Sequence, residues 1–217
     1  ECGAAVIQSR GSGSPPILNR GHTAGKGTTM RVLVACESSG TVREAFRARG
    51  HEAWSCDLLA ADDGSKHHFM GDCRPIIEFG WDLIIAHPPC TALAVSGNRW
   101  YGEGKPKHHE RAESVAFVAD LADLMSRHAA RWAIENPVGV LSTLWRKPTQ
   151  YVQPWQFGHG ETKKTGLWLH GLAPLTPTDV VEGREQRIWK MGPSPDRWKE
   201  RSKTYQGIAD AMANQWG

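Results

Sequence analysis

Residues 31–50 read RVLVACESSGTVREAFRARG, and the fold is decided here. Arg31-Val-Leu-Val-Ala35 is short, apolar and β-branched, which suits a buried strand. Cys36-Glu-Ser-Ser-Gly40 follows as a polar turn closed by glycine. From Thr41 to Arg49, Val42, Ala45 and Phe46 recur at helical spacing, and Gly50 stops the run. A strand that passes through a glycine turn into a helix is the opening unit of an alternating α/β chain.

The alternation continues on both sides of this unit. His51–Cys56 reads as a second strand ending at Asp57. Trp81–Ala86 is a further strand, halted by His87-Pro88-Pro89 because proline cannot donate to a central ladder. A long helix is expected over Arg111–His128, with Val115, Val118, Leu121, Ala122 and Met125 on one face. Arg131–Ile134 reads as a strand running out into Glu135-Asn136-Pro137. Leu167–His170 is a late strand, and Thr204–Trp216 a closing helix. The expected fold is α/β, a doubly wound, mostly parallel sheet. Such sheets bind ligands beyond the carboxyl ends of their strands. Glu37–Gly40, Asp57, His87–Cys90 and Glu135-Asn136 all fall at such ends, which predicts one composite site.

Composition sets the remaining bounds. The chain has 217 residues, 40% apolar and 23% charged, enough for one globular domain with a real core. Residues 1–29 are rich in Gly, Ser and Thr, contain Pro15-Pro16 and show no period. They are read as a tag, an upstream stretch or a disordered arm, leaving 30–217 as a single domain. No apolar run approaches the roughly 18 residues of a spanning helix, so no membrane partner is expected. Net charge is +3, much of it in residues 1–29, so the body is close to neutral. A nucleic-acid partner must therefore rest on local basic clusters. Such clusters occur at Lys105/Lys107, Arg146/Lys147, Lys163/Lys164 and Arg197–Lys203, each of which also reads as a solvated face. The five cysteines are odd in number and form no CxxC pair, which argues against a disulfide framework and a thiolate zinc site and suits a reducing cytoplasm. His67-His68 and His108-His109 point apart as neighbours, so no metal is expected.

Three groups carry the chemistry. The Ser38-Ser39-Gly40 turn lets backbone approach a ligand closely, although it also reads as a plain tight turn. Asp57 can accept from both hydroxyls of a ribose, and Asp72, after Gly71, can face an adenine amino group; either carboxylate alone also reads as a cap. Cys90 stands stiffly behind two prolines, whereas Cys36, Cys56 and Cys73 read as small buried apolar residues. A thiol attacks as the thiolate, which a nearby Lys would favour. Glu135, in a partly apolar pocket, is expected to be raised in pKa and held protonated. Thiolate attack on C6 of a pyrimidine drives electrons toward N3, where such an acid would stabilise them, and C5 becomes able to take a methyl group.

Together these residues resemble the C5-cytosine DNA methyltransferase family, most of all its short phage-type members. Pro88-Pro89-Cys90-Thr91 is similar to the family's Pro-Cys motif, and Glu135-Asn136-Pro137 to its Glu-Asn-Val motif. Phe157-Gly158 with Glu161–Thr165 resembles the segment that contacts cytosine. Tyr205–Met212 resembles the motif that packs back on the donor pocket. The resemblance covers about residues 30–217. It implies a Rossmann-like, class I S-adenosylmethionine-dependent methyltransferase fold acting on DNA. It assigns catalysis to Cys90, Glu135, Asn136 and Lys163. It gives the S-adenosylmethionine site to Glu37, Ser38, Ser39, Gly40, Asp57, Asp72, His87, Pro88 and Asp210. DNA contacts fall to Lys105, Lys107, Lys164, Arg197 and Arg201, with Trp100, Tyr101 or Trp145 available to stack. Three departures stand out. Lys163 and Thr165 replace arginines. His87-Pro88-Pro89 also resembles the Asp/Asn-Pro-Pro-aromatic motif of amino-group methyltransferases, with Cys90 in place of the aromatic. No large target-recognition domain is present, so a partner or oligomer is a candidate source of specificity. The alternatives are the same thiolate chemistry on another pyrimidine or with a modified donor, amino-group methylation, and a non-catalytic DNA-binding relative.

Overall fold

The computed structural model describes residues 28–195 and 197–217. The expectation for the leading segment therefore falls almost wholly outside the described residues. The chain runs β1 (Arg31–Ala35), α1 (Thr41–Arg47), β2 (Glu52–Asp57), β3 (His68–Met70), α2 (Cys73–Ile77), β4 (Leu83–Ala86), α3 (Asn98–Tyr101) and α4 (His108–His128). It continues with β5 (Trp132–Pro137), α5 (Leu141–Leu144), β6 (Gln150–Val152), β7 (Thr165–His170), α6 (Arg187–Lys190), α7 (Arg197–Ser202) and α8 (Gln206–Trp216).

The seven strands form one sheet in the order β3-β2-β1-β4-β5-β7-β6. β1 pairs in parallel with both β2 and β4, and β5 extends the parallel set. β7 is antiparallel to β5 and β6. This is a Rossmann-like order with an inserted antiparallel strand, the fold class that the sequence implies. The period of two on β1 divides the core. Val32 and Val34 face a cluster with Phe46, Met212 and Trp216, while Leu33 and Ala35 face one with Leu121, Met125 and Trp132. Helices thus cover both faces of the sheet, with α1 and α8 on one and α2 and α4 on the other. Among the described residues, no helix is long and apolar enough to cross a membrane.

Several boundaries differ from those expected. α1 stops at Arg47 because Ala48–Gly50 tighten into a turn, Arg49 N donating to Phe46 O at 3.1 Å. Trp81 and Asp82 precede β4: Trp81 Nε1 donates to Ile76 O at 2.8 Å, and Asp82 accepts from Arg31 N at 2.7 Å. α4 begins one turn early, at His108. Glu135-Asn136-Pro137 lie inside β5 rather than beyond it, paired with Leu167, Gly166 and Thr165 of β7. β3, α2 and β6 were not expected; at three to five residues each they are too short to display a period.

Candidate active site

The parallel strands end around one cavity of about 760 Å³. Its floor is built from strand tips. The β1–α1 turn brings Glu37, Ser38 and Ser39 to it, and β2 ends in it with Asp57. The β4 extension brings His87, Pro88 and Cys90, and β5 brings Glu135 and Asn136. Register explains the central pairing. Ala86 of β4 lies beside Ile134 of β5, so the next residues, His87 and Glu135, are neighbours across the ladder. Their side chains meet, with His87 Nδ1 3.0 Å from Glu135 Oε2, and both are largely buried. Asn136 Nδ2 donates to Pro88 O at 2.8 Å, which ties the Pro-Pro turn to β5 and fixes the approach to Cys90.

Backbone geometry shapes the other half. Gly40 caps α1 with φ of 72°, a left-handed conformation that glycine tolerates best. A Cβ there would lie 2.2 Å from the Arg43 guanidinium. Arg43 is fully buried, held by Ser55 Oγ at 2.7 Å and by Asp63. Glu37 accepts from Val42 N at 2.7 Å and Arg43 N at 3.3 Å, so it caps α1 from the cavity floor. Asp57 Oδ1 accepts from Leu59 N at 2.9 Å.

The electrostatics follow from this packing. Burial alone would raise the Glu135 carboxyl, but the His87 hydrogen bond and the charges of His87 and Lys163 outweigh it and hold Glu135 below its usual range. The expectation of a protonated Glu135 is thus corrected: it rests as a carboxylate because the ladder places an imidazole against it. Glu37 goes the other way, raised by burial against the opposing pull of His87. Burial and the neighbouring Glu135 push the Cys90 thiol up, with Lys163 and Arg201 pulling against them. Among the described residues, His87 Nε2 and Asn136 Oδ1 are buried without a hydrogen-bond partner.

Most sequence-assigned residues converge here. Cys90, Glu135, Asn136, Lys163, Glu37, Ser38, Ser39, Asp57, His87, Pro88, Lys164 and Arg201 all line the cavity. Lys163 reaches it while donating from Nζ to Lys203 O at 3.0 Å, and Lys164 Nζ lies 4.4 Å from the Tyr151 ring. Six do not line it. Gly40 stands just behind it as the α1 cap. Asp72 caps α2 instead, accepting from Arg74 N at 2.9 Å and pairing with the Arg74 side chain, which lowers its pKa. Asp210 sits on α8 with Gln206 and Arg49. Lys105 and Lys107 lie before α4, Lys107 paired with Glu110 at 3.1 Å. Arg197 opens α7 outside the lining. Of the remaining cysteines, Cys56 and Cys73 are buried as expected, and Cys36 is partly buried, packed against the same core 3.9 Å from Cys73. Sequence reading missed Asp62, Trp189 and Trp198, which also line the cavity. Asp62 pairs with Lys199 at 2.9 Å, joining the loop after β2 to α7. No local pattern marks these residues, because they meet only when the 171–205 segment folds over the strand ends. Among the described residues, no group of three or more His, Cys, Asp or Glu side chains is placed to hold a metal ion.

No family model matches this sequence, and no curated protein does. Among solved structures, the Dnmt2 methyltransferase of S. pombe is similar with a TM-score of 0.46 and 13% identity over 75% of this chain. The chain spans 54% of that structure's length. Thermoplasma acidophilum 1320 gives a TM-score of 0.40 and 15% identity, covering 65% of this chain and 78% of that one. WbdD gives 0.41 and 11%, covering 67% and 36%.

Proposed function

We propose that this chain transfers a methyl group from S-adenosylmethionine to C5 of a cytosine in DNA, with Cys90 as the nucleophile. The observation that carries the reading is the meeting of Cys90, Glu135, Asp57 and the Ser38-Ser39 turn in one cavity. The donor set suits S-adenosylmethionine. The Asp57 carboxylate would hold the ribose hydroxyls, the Ser38-Ser39 turn the amino-acid end, and Leu59, which also lines the cavity, a face of the adenine. Asp72 is committed to α2 and Arg74 and takes no part. Once bound, this cofactor supplies an electrophilic methyl group to C5.

The protein's own groups do the rest. The Cys90 thiol must lose a proton to attack C6, and cytosine N3 must gain one as the adduct forms. Glu135, a carboxylate at rest, takes the thiol proton and passes it to N3, while the sulfur–C6 bond closes. His87 holds the carboxylate in place through its 3.0 Å contact. Lys163 and Arg201 favour the thiolate. After methylation the C5 proton is lost to solvent, Cys90 leaves C6 as the thiolate, and Glu135 carries the N3 proton back to it, which restores both the ring and the resting site. Asn136 keeps the nucleophile's turn rigid, which limits the entropy lost on reaching the attack geometry.

The test is identification of the product. Incubation with labelled S-adenosylmethionine and DNA, digestion and mass analysis should give 5-methylcytosine. Asp57→Ala should bind the donor clearly more weakly by calorimetry. A labelled exocyclic amine in place of C5 would contradict the mechanism, and unchanged donor affinity would remove Asp57 from the site.

A further inference from the structure

Ten tryptophans occur in the chain, and the three that are more than half exposed all line the same cavity. They are Trp100 (54%), Trp189 (76%) and Trp198 (55%). The other seven are buried or half-buried. Large flat rings left in water at the mouth of one cavity call for a ligand that covers them. Cations stand beside two of them: the Arg99 guanidinium is 5.3 Å from the Trp100 ring, and Lys199 Nζ is 6.0 Å from Trp198. Arg201 and Lys203 line the same cavity, Lys203 also pairing with Glu200 at 2.9 Å. The floor, by contrast, is acidic, with Glu37, Asp57 and Glu135. The rim therefore offers aromatic faces and positive charge together.

From this we infer that the mouth binds a single-stranded polynucleotide in preference to a duplex; the inference rests on the nucleic-acid reading above and names its substrate class. In a duplex the base faces are already stacked on one another and cannot cover three indoles. In a single strand successive bases are free to stack on aromatic rings while cations follow the phosphates. The elements that carry the indoles point the same way. α3, α6 and α7 have four, four and six residues. At about 1.5 Å per residue none is long enough to run along a major groove. The near-neutral body also lacks the charge to hold a double helix by its phosphates alone. A cytosine in a single strand needs no unpairing to reach Cys90.

The test uses a fluorescein-labelled thymidine oligomer and a duplex of equal length, with anisotropy measured on the whole chain. The oligomer should bind about tenfold or more tighter than the duplex. Alanine at Trp100, Trp189 or Trp198 should weaken oligomer binding by about 5- to 150-fold each, the range expected for losing one stacked base. Trp189→Phe and Trp198→Phe should retain most of the affinity and the leucine variants should not, since leucine keeps apolar area but no flat face. Equal binding of duplex and oligomer, or alanine variants that bind as wild type, would overturn the inference. The oligomer contains no cytosine, so binding is read apart from methyl transfer. Oligomer binding without any cysteine adduct on 5-fluorocytosine would sink the methylation reading alone. An adduct on duplex DNA without single-strand preference would sink this inference alone.

Discussion

At the scale of single residues, Glu135 is held below the usual carboxylate range by the imidazole of His87. Its partner His87 lies 48 positions away, and the 3.0 Å contact exists because β4 and β5 run side by side in register. That is why the sequence marks Glu135 as important yet suggests the wrong resting state: burial is legible from apolar neighbours, whereas the imidazole that offsets burial is a product of strand pairing. The position of Cys90 at the end of β4 was legible from Pro88-Pro89, because two prolines announce a rigid turn. Asp72 caps α2 outside the cavity lining, a position its sequence does not distinguish, because a carboxylate after glycine looks alike whether it caps a helix or faces a ligand. Glu135→Gln keeps the shape but cannot accept the thiol proton. Turnover should fall by about 10²–10⁴-fold with donor affinity unchanged. The pH dependence of stability should change as well. A carboxyl held below its usual range stabilises the fold above its unfolded pKa, and that stability is lost as pH falls through the folded value. Glu135→Gln should lack this acid-side loss in urea titrations across pH. Near-normal turnover would make Glu135 a structural residue of β5.

At the scale of elements, long periodic segments were legible and short ones were not. α4 and α8 were anticipated to within a few residues because one buried face leaves a helical period, and β1, β4 and β5 because central strands buried on both faces leave unbroken apolar runs between turn residues. β3 and β6 have three residues each and leave none. The antiparallel sense of β7 is equally silent, since direction is set by what precedes the strand rather than by its own residues. The β1–α1 turn is the element most exposed to a single change. At Gly40 a side chain meets both a positive φ and the buried Arg43 guanidinium, which cannot move without releasing Ser55 and Asp63. Gly40→Ala should lower unfolding free energy by about 1–3 kcal/mol and weaken donor binding, since the same turn carries Ser38 and Ser39. Chemical denaturation with calorimetry checks both. A variant as stable as wild type would show that the turn relaxes freely.

At the scale of the whole molecule, one sheet gathers distant segments around Cys90, and the 171–205 segment closes over them. α7 is held to the loop after β2 by the Lys199–Asp62 pair, which puts Trp198 and Arg201 at the mouth. This part of the site was only half legible. The basic residues of 197–203 were visible as a cluster, but that Lys199, Arg201 and Lys203 line the same cavity as Cys90 depends on how the chain returns across the strand ends. The other cysteines provide an internal contrast. Cys56 is fully buried within the sheet, its thiol pushed up to about 12, and it does not line the cavity that Cys90 enters. The most direct measurement is therefore the intact mass of the protein after incubation with S-adenosylmethionine and DNA containing 5-fluorocytosine. Fluorine at C5 cannot leave as a proton, so elimination stalls and the adduct persists. The expected result is a covalent adduct that requires the donor, maps to Cys90, disappears in Cys90→Ser and survives Cys36→Ser, Cys56→Ser and Cys73→Ser. An active protein that forms no adduct, or a Cys90→Ser variant that still methylates cytosine C5, would contradict it.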